Sequence, residues 1–405
     1  MKAGKLKLIR NQSQTLTLCT EKPMARSALL ILIFTALSTV QNLKAQIDVY
    51  GQVSPAFTQS SDITPQLTIN AGRPTFLWRL DVLADAYITD NVTAYINLRS
   101  YQDQIINIDY LAIRISDISP LGFNIQAGKF DMPFGNLYSR RFPADNFLFD
   151  LPLIYQYHTV VMSEYIFQDA QELLQYRGSG GSGTLPSSLP ILDRGIYGTG
   201  VMLFGSIGIV DYFAAIMNGT VSNTGSYGNG LNMNDNLGKL FRISVTPFLG
   251  LTIGGAFNWG SYLSQNIDGY LPYDSSAEDY QQYTGSFDIE YSRGHLQFFS
   301  QAVYNSWDHP NVDEALNVFG YYAETKYTFR PRWYVAARLN QLLFSDISVD
   351  NTEYRWDHNV FQIEGGLGYA LDRNTLAKLV YQETIVYGTE RISNSMFSLQ
   401  LVASF

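Results

Sequence analysis

Charge is scarce in this chain. Only 16% of its 405 residues are Asp, Glu, Lys or Arg, where globular proteins carry about 25%. The chain is also 14% aromatic and 46% hydrophobic, which excludes a disordered polypeptide, since disorder needs charge and few rings. Long apolar runs are missing as well. A helical membrane protein shows several runs of about 20 apolar residues, whereas one run, Ala28 to Leu37, stands alone near the N-terminus. Cysteine occurs once, as Cys19. It precedes the apolar run, which argues against a lipid anchor, and the rest of the chain forms no disulfides. Histidine occurs four times, as His158, His295, His309 and His358. None has a metal-ligand spacing, and no Gly-x-Ser-x-Gly elbow occurs. A barrel hydrolase would have to use His158 with Ser163 or His295 with Ser292, pairs that chance supplies at this composition. No enzyme, metal or cofactor is expected.

What is present begins with an address. Residues 24–46 read MARSALLILIFTALSTVQNLKAQ: a positive flank at Arg26, an apolar stretch, and a small residue at Ala45. That is the pattern of a secretory signal peptide cleaved after Ala45, with 1–23 as an extended basic region or Met24 as the start. Seven of the 27 basic residues and one of the 36 acids lie in 1–45. The remainder therefore holds 20 basic and 35 acidic residues, a net charge of −15. Lys is reduced there to Lys129, Lys239, Lys326 and Lys378. Such a surface excludes nucleic acid as a partner.

The body of the chain alternates. In 76–87, Phe76, Trp78, Leu80, Val82, Ala84 and Ala86 oppose Leu77, Arg79, Asp81, Leu83, Asp85 and Tyr87. The segments 92–99 and 361–369 divide in the same way. A period of two is a strand with one apolar and one polar face. About sixteen such strands fit within 46–405. Tight turns are expected at Asp90-Asn91, Ser116 to Leu121, Gly205-Ser206, Pro247 to Gly250, Arg293-Gly294, Arg330 to Arg332 and Asp372 to Asn374. Longer connections fall at 59–73, 131–192, 219–236, 263–280, 307–316 and 345–356, with short ones near 103–106 and 389–393. One rim of tight turns and one of long loops predicts an all-β, transmembrane antiparallel β-barrel, not a soluble sandwich or propeller. Trp78, Trp259, Trp307, Trp333 and Trp356 are expected as girdle residues at the membrane interfaces. The last strand, MFSLQLVASF, alternates into Phe405, which suits recognition by the barrel-insertion machinery.

The polar faces of a sixteen-stranded barrel line a water-filled interior. Parity nominates Arg79, Arg99, Arg114, Arg242, Arg338, Lys326 and Lys378 as its basic residues. Asp81, Asp85, Asp288, Glu290, Glu324 and Glu364 are the acidic ones. Their arrangement at the narrowest ring sets selectivity. The 131–192 connection exceeds any ordinary loop. It opens with an aromatic, apolar stretch and carries RGSGGSG (177–183), expected as a flexible tip. It is expected to fold inward, with Arg140, Arg141, Tyr138 and Asp145 as the candidate constriction.

Several stretches together resemble the phosphate-selective porin O and P family: AGKFDMPFGN (127–136), IVDYFAAIMNG (209–219), GKLFRISVTPF (238–248) with the LGLTIGGAFNWG that follows, TGSFDIEYSRGHLQFFSQAVY (284–304) and FGYYAETKYTFRPRWYVAARLNQ (319–341). The resemblance implies a sixteen-stranded porin of the Gram-negative outer membrane, usually trimeric, with inward-folded loops. It implies, for phosphate-specific members, a lumen rich in Arg and Lys; this sequence departs there, with four Lys after residue 45, and leaves Arg99, Arg140, Arg141 and Arg242 as material for a local anion site. The expected function is passive diffusion of small hydrophilic solutes, anions such as phosphate among them, with lipid and lipopolysaccharide around the barrel. The alternatives are a plugged surface barrel without transport, or a barrel hydrolase.

Overall fold

The computed structural model describes residues 46–61, 73–102, 106–119, 122–178, 188–194, 197–223, 232–388 and 390–405. The expected signal peptide, residues 1–45, and most of the RGSGGSG tip lie outside them.

The chain runs through β1 (Gln46–Ser60), β2 (Thr75–Thr89), β3 (Val92–Tyr101), β4 (Asn107–Ile115) and β5 (Asn124–Asp131). Inside the long connection come β6 (His158–Met162), a short helix α1 (Ala170–Gln175) and β7 (Ser188–Pro190). Then follow β8 (Tyr197–Ile207), β9 (Val210–Asn218), β10 (Leu237–Phe248), β11 (Leu251–Ser261), β12 (Gln281–Arg293) and β13 (Leu296–Trp307). The series ends with β14 (Leu316–Arg330), β15 (Trp333–Phe344), β16 (Asp346–Val349), β17 (Thr352–Arg355), β18 (Asn359–Ala370), β19 (Thr375–Tyr387) and β20 (Arg391–Ser404).

Sixteen of these strands form one closed antiparallel barrel, each paired with the next barrel strand along the chain, β5 with β8 and β15 with β18 included, and β1 with β20. The pairs β6–β7 and β16–β17 are separate two-stranded sheets. Closure removes the unpaired edges that hydrocarbon would penalise by several kcal/mol per group. At the seam, Gly51 and Phe405 exchange both backbone hydrogen bonds, each 2.8 Å. The Phe405 ring lies where a Cβ on residue 51 would stand.

Connections alternate as the turn residues require. The tight rim holds 90–91, 116–119 with 122–123, 208–209, 249–250, 294–295, 331–332 and 371–374, with Gly208, Gly250, Gly294 and Arg332 at positive φ. The turn expected at Gly205-Ser206 falls instead at Gly208-Ile209. Gly205 stays in the ladder opposite Tyr212, whose side chain fills the space a Cβ would need. The turn waits for the glycine that adopts φ of +62°. The expected 345–356 loop is itself a hairpin, β16–β17. Asp350 and Asn351 both take positive φ, the requirement of a two-residue turn that follows strand twist.

Parity separates the faces. One carries exposed Val49, Phe76, Trp78, Ile113, Val201, Phe241, Ile243, Phe257, Phe287, Val335, Ile363 and Leu399. The other buries Gln52, Asn97, Gln126, Asn258, Thr284, Gln301, Asn340, Gln362, Gln382 and Ser398. Towards the long-loop ends of β13–β19 this inner face turns apolar, with Val303, Leu316, Val318, Leu342, Val360 and Val386. Trp307 and Trp356 belong to that cluster and are not girdle residues. Both are fully buried, edge to face at 5.9 Å, and Trp356 Nε1 donates to the Asn317 carbonyl at 2.7 Å. Nothing in their spacing distinguishes them from Trp78, which stays 39% exposed on the outer face.

Candidate functional site

Strand alternation sets the parity of the nominated wall residues, and all thirteen share the face of the buried polar groups. Most are matched to a partner. Arg79 clamps Asp81 through Nε and Nη2 at 2.7 and 2.8 Å. Arg242 of β10 grips Asp288 of β12 with two bonds that pass over β11. They cross at Gly254, where a Cβ would strike both side chains. Arg114 bonds Gln126 Oε1 at 3.0 Å and lies over the Tyr95 ring. Lys326 lies over the Phe147 and Tyr334 rings. Glu290 stands in the field of Arg140, Asp288 and Arg242, and Asp85 in that of Asp48 and Arg114.

One network joins the wall to the long connection. Glu324 of β14 holds Arg338 of β15 on one oxygen and Arg140 on the other. Arg338 also reaches Glu364, the Asp150 carbonyl and Asn146 Oδ1. Lys378 of β19 donates to three carbonyls, of Pro143, Asn146 and Leu148, at 2.7, 3.0 and 2.9 Å. Three carbonyl dipoles solvate the buried ammonium in place of water. Asn136 donates to the Ile289 and Ser300 carbonyls, and Leu153 N–H to Asn340 Oδ1 at 3.1 Å. Residues 136–153 thus bond to β12–β19 on the face that carries their buried polar groups. Glycines make the room. A Cβ on Gly320 would come within 2.7 Å of Ile154, and one on Gly366 within 2.7 Å of Leu148.

The four residues nominated as a constriction separate. Arg140 is buried against the Phe299 ring, 3.6 Å from its centroid, and bonded to Glu324. Arg141 turns the other way, to Asp131 and between the Phe142 and Tyr197 rings. Tyr138 is half-buried, and Asp145 is exposed. Adjacent residues in a 3₁₀ turn (Tyr138–Arg140) diverge by about a third of a turn, so neighbours in sequence serve opposite walls.

A cavity lies between this segment and the wall of β20, β1, β2 and β3. Ser54, Arg79, Arg99, Tyr101 and Gln400 line it from the barrel, and Arg141, Asn146, Phe149, Asp150 and Leu151 from the segment, with Arg194. Arg99 pairs with Asp109 at 3.0 Å and Arg194 with Asp150 at 2.6 Å. Asp109 escaped the parity reading for a physical reason. The pairing of β3 with β4 steps from Asn97↔Tyr110 to Leu98↔Ile108, a bulge that turns Asp109 inward beside Tyr110. Arg194 and Asp150 sit in a connection with no periodicity to read.

At the long-loop rim, Asp357 is fully buried and accepts from Tyr157 Oη, Gly178 N–H and His358 N–H at 3.0, 3.1 and 2.8 Å. Burial pushes its carboxyl up to about 6. Burial also brings His309, stacked on Phe167, down to about 4, which keeps it neutral.

Solved structures share this fold. OmpF of Salmonella typhi in complex with daunomycin matches at a TM-score of 0.58 with 9% identity, covering 90% of this chain and 99% of that one. An anion-selective porin from Comamonas acidovorans matches at 0.54 with 10% identity, over 89% of this chain and 100% of that one. In-vitro folded OmpT in trimer form, an outer membrane protein of Vibrio cholerae, matches at 0.52 with 12% identity, over 89% and 99%. No family model matches the chain, and no curated protein matches it by sequence. An apolar belt around a closed sixteen-stranded barrel needs lipid on its outside, so this chain is a membrane-spanning β-barrel with the fold of these outer-membrane porins.

Proposed function

We propose that the barrel is a porin, a water-filled channel through which small hydrophilic solutes diffuse passively across the outer membrane. The observation that carries this reading is the pairing of a continuous apolar exterior with an interior of matched charges and amides. In this reading residues 132–157 fold into the lumen from the long-loop rim, held there by Glu324, Arg338 and Lys378. They displace the water path towards β20, β1, β2 and β3. Arg141 then faces that path with Arg79, Arg99 and Arg194, and Arg140 anchors the segment. Anions, inorganic phosphate included, are favoured over cations. Residues 1–45 direct export, with cleavage after Ala45, and the assembled channel is a homotrimer, as the phosphate-selective porin resemblance implies.

Planar bilayers with reconstituted protein test this. Stepwise conductance is expected, with a zero-current potential in a KCl gradient on the anion side. Arg99→Glu with Arg194→Glu moves that potential towards potassium. Closed bilayers over folded barrels would reject the channel. The extensive packing of 132–157 on the inner face favours a second reading, a plugged barrel that conducts once this segment is trimmed.

A further inference from the structure

Beside the long-loop rim, the cavity between 141–151 and the β20–β3 wall has a lopsided lining. Arg79, Arg99, Arg141 and Arg194 contribute to it, but a single carboxylate, Asp150, does. The carboxylates that balance Arg79 and Arg99 stand behind them. Asp81 and Asp109 are 0% and 3% exposed, where their arginines are 19% and 28%. Arg194 is half exposed, more than its partner Asp150. These three pairs are neutral in sum yet oriented, with the cationic head towards the cavity, whereas Arg141 is more buried than its partner Asp131 and adds charge without an exposed head. A guanidinium carries five N–H donors in a fork, more than one carboxylate occupies, so Arg79, Arg99 and Arg194 can still receive a second anion.

The rest of the lining is of a different kind. Leu77, Phe149, Leu151 and Tyr101 supply hydrocarbon and ring surface. Ser54 Oγ and Gln400 Oε1, both buried and both at the cavity, have no hydrogen-bond partner among the described residues. Buried polar atoms without partners cost free energy unless water or a ligand meets them. Inorganic phosphate fits one half of this lining and must shed hydration against the other. We infer that the cavity binds organic carboxylates with an apolar body, carboxylate on the arginine arc and hydrocarbon against Leu77, Phe149 and Leu151. This deepens the channel reading by naming a solute class, and rests on it for the route of entry.

The test is calorimetric titration of the detergent-folded protein with acetate, hexanoate, benzoate and inorganic phosphate. Hexanoate and benzoate bind at one site per chain, hexanoate roughly tenfold or more tighter than acetate because of its added methylenes. Phosphate binds more weakly than either. Arg194→Gln weakens all the carboxylates about tenfold by removing a charge-assisted partner. Phe149→Ser weakens hexanoate and leaves acetate unchanged, which also separates the site from uptake by the micelle. Equal affinity for acetate and hexanoate, or phosphate binding as tightly as hexanoate, overturns the inference. In planar bilayers, hexanoate on the long-loop side interrupts the current. A barrel that binds hexanoate but passes no current keeps the site and defeats the channel, whereas a conducting barrel that hexanoate neither binds nor interrupts defeats the site alone.

Discussion

Glu324 is fully buried and holds two guanidinium groups, those of Arg140 and Arg338. Removing one member of a buried ion network strands its partners, a loss of about 3–5 kcal/mol. Glu324→Gln is therefore expected to lower the urea midpoint of the detergent-folded barrel and to open residues 136–150 to protease. Wild-type cleavage rates in the variant would show that the network does not hold the segment. Asp357 works in the opposite sense, because burial lifts its carboxyl from 3.8 to about 6. The folded form prefers the proton. Its stabilising contribution, on the order of 3 kcal/mol at about 1.4 kcal/mol per pH unit, is complete below about pH 4 and lost as pH rises through 6. Asp357→Asn keeps the acceptor for Tyr157 and Gly178 without the charge. It is expected to unfold later than wild type at pH 7.5 and at a similar temperature at pH 4, read by thermal melts at both pH values.

At the scale of elements, the barrel strands were legible because hydrophobic alternation is a local signal. The segments 76–87, 92–99 and 361–369, read from the period of two, all fall within barrel strands. Turns were legible where Gly or Asn-Asp chemistry stood alone, and misplaced at 205–206, where two glycines competed and the Tyr212 side chain decided between them. The β4 bulge was hidden, since it depends on the register of two strands and not on either sequence. Inner-face glycines were hidden too. Gly320 and Gly366 read as weak strand residues, yet they admit Ile154 and Leu148. Gly366→Val is expected to push Leu148 off the wall and loosen 143–148 from Lys378, with little effect on barrel closure. Limited proteolysis should then cut within 140–157, and single-channel conductance should change. An unaltered cleavage pattern would show that the segment does not depend on this glycine.

Over the whole molecule, the belt of Val, Ile, Leu and Phe that stays exposed is the largest departure from a soluble protein, and lipid is its counterpart. Ile243 is 58% exposed on that belt. Ile243→Arg is expected to cost about 2–4 kcal/mol of stability in bilayers if it sits near the midplane, measured by reversible unfolding in vesicles, whereas inner-face Ser244→Arg, of opposite parity, escapes the lipid penalty. Composition and periodicity by themselves determined the barrel, its strand number and the sorting of side chains to two faces, because closure and pleat are short-range rules repeated along the chain. They could not determine which charges share a bond. Pairings such as Arg140 with Glu324, 184 residues apart, the departure of Arg141 from its neighbour, and the arginine-lined cavity beside β1 were decided by the tertiary structure, since they depend on where an aperiodic segment comes to rest against strands that are distant in sequence.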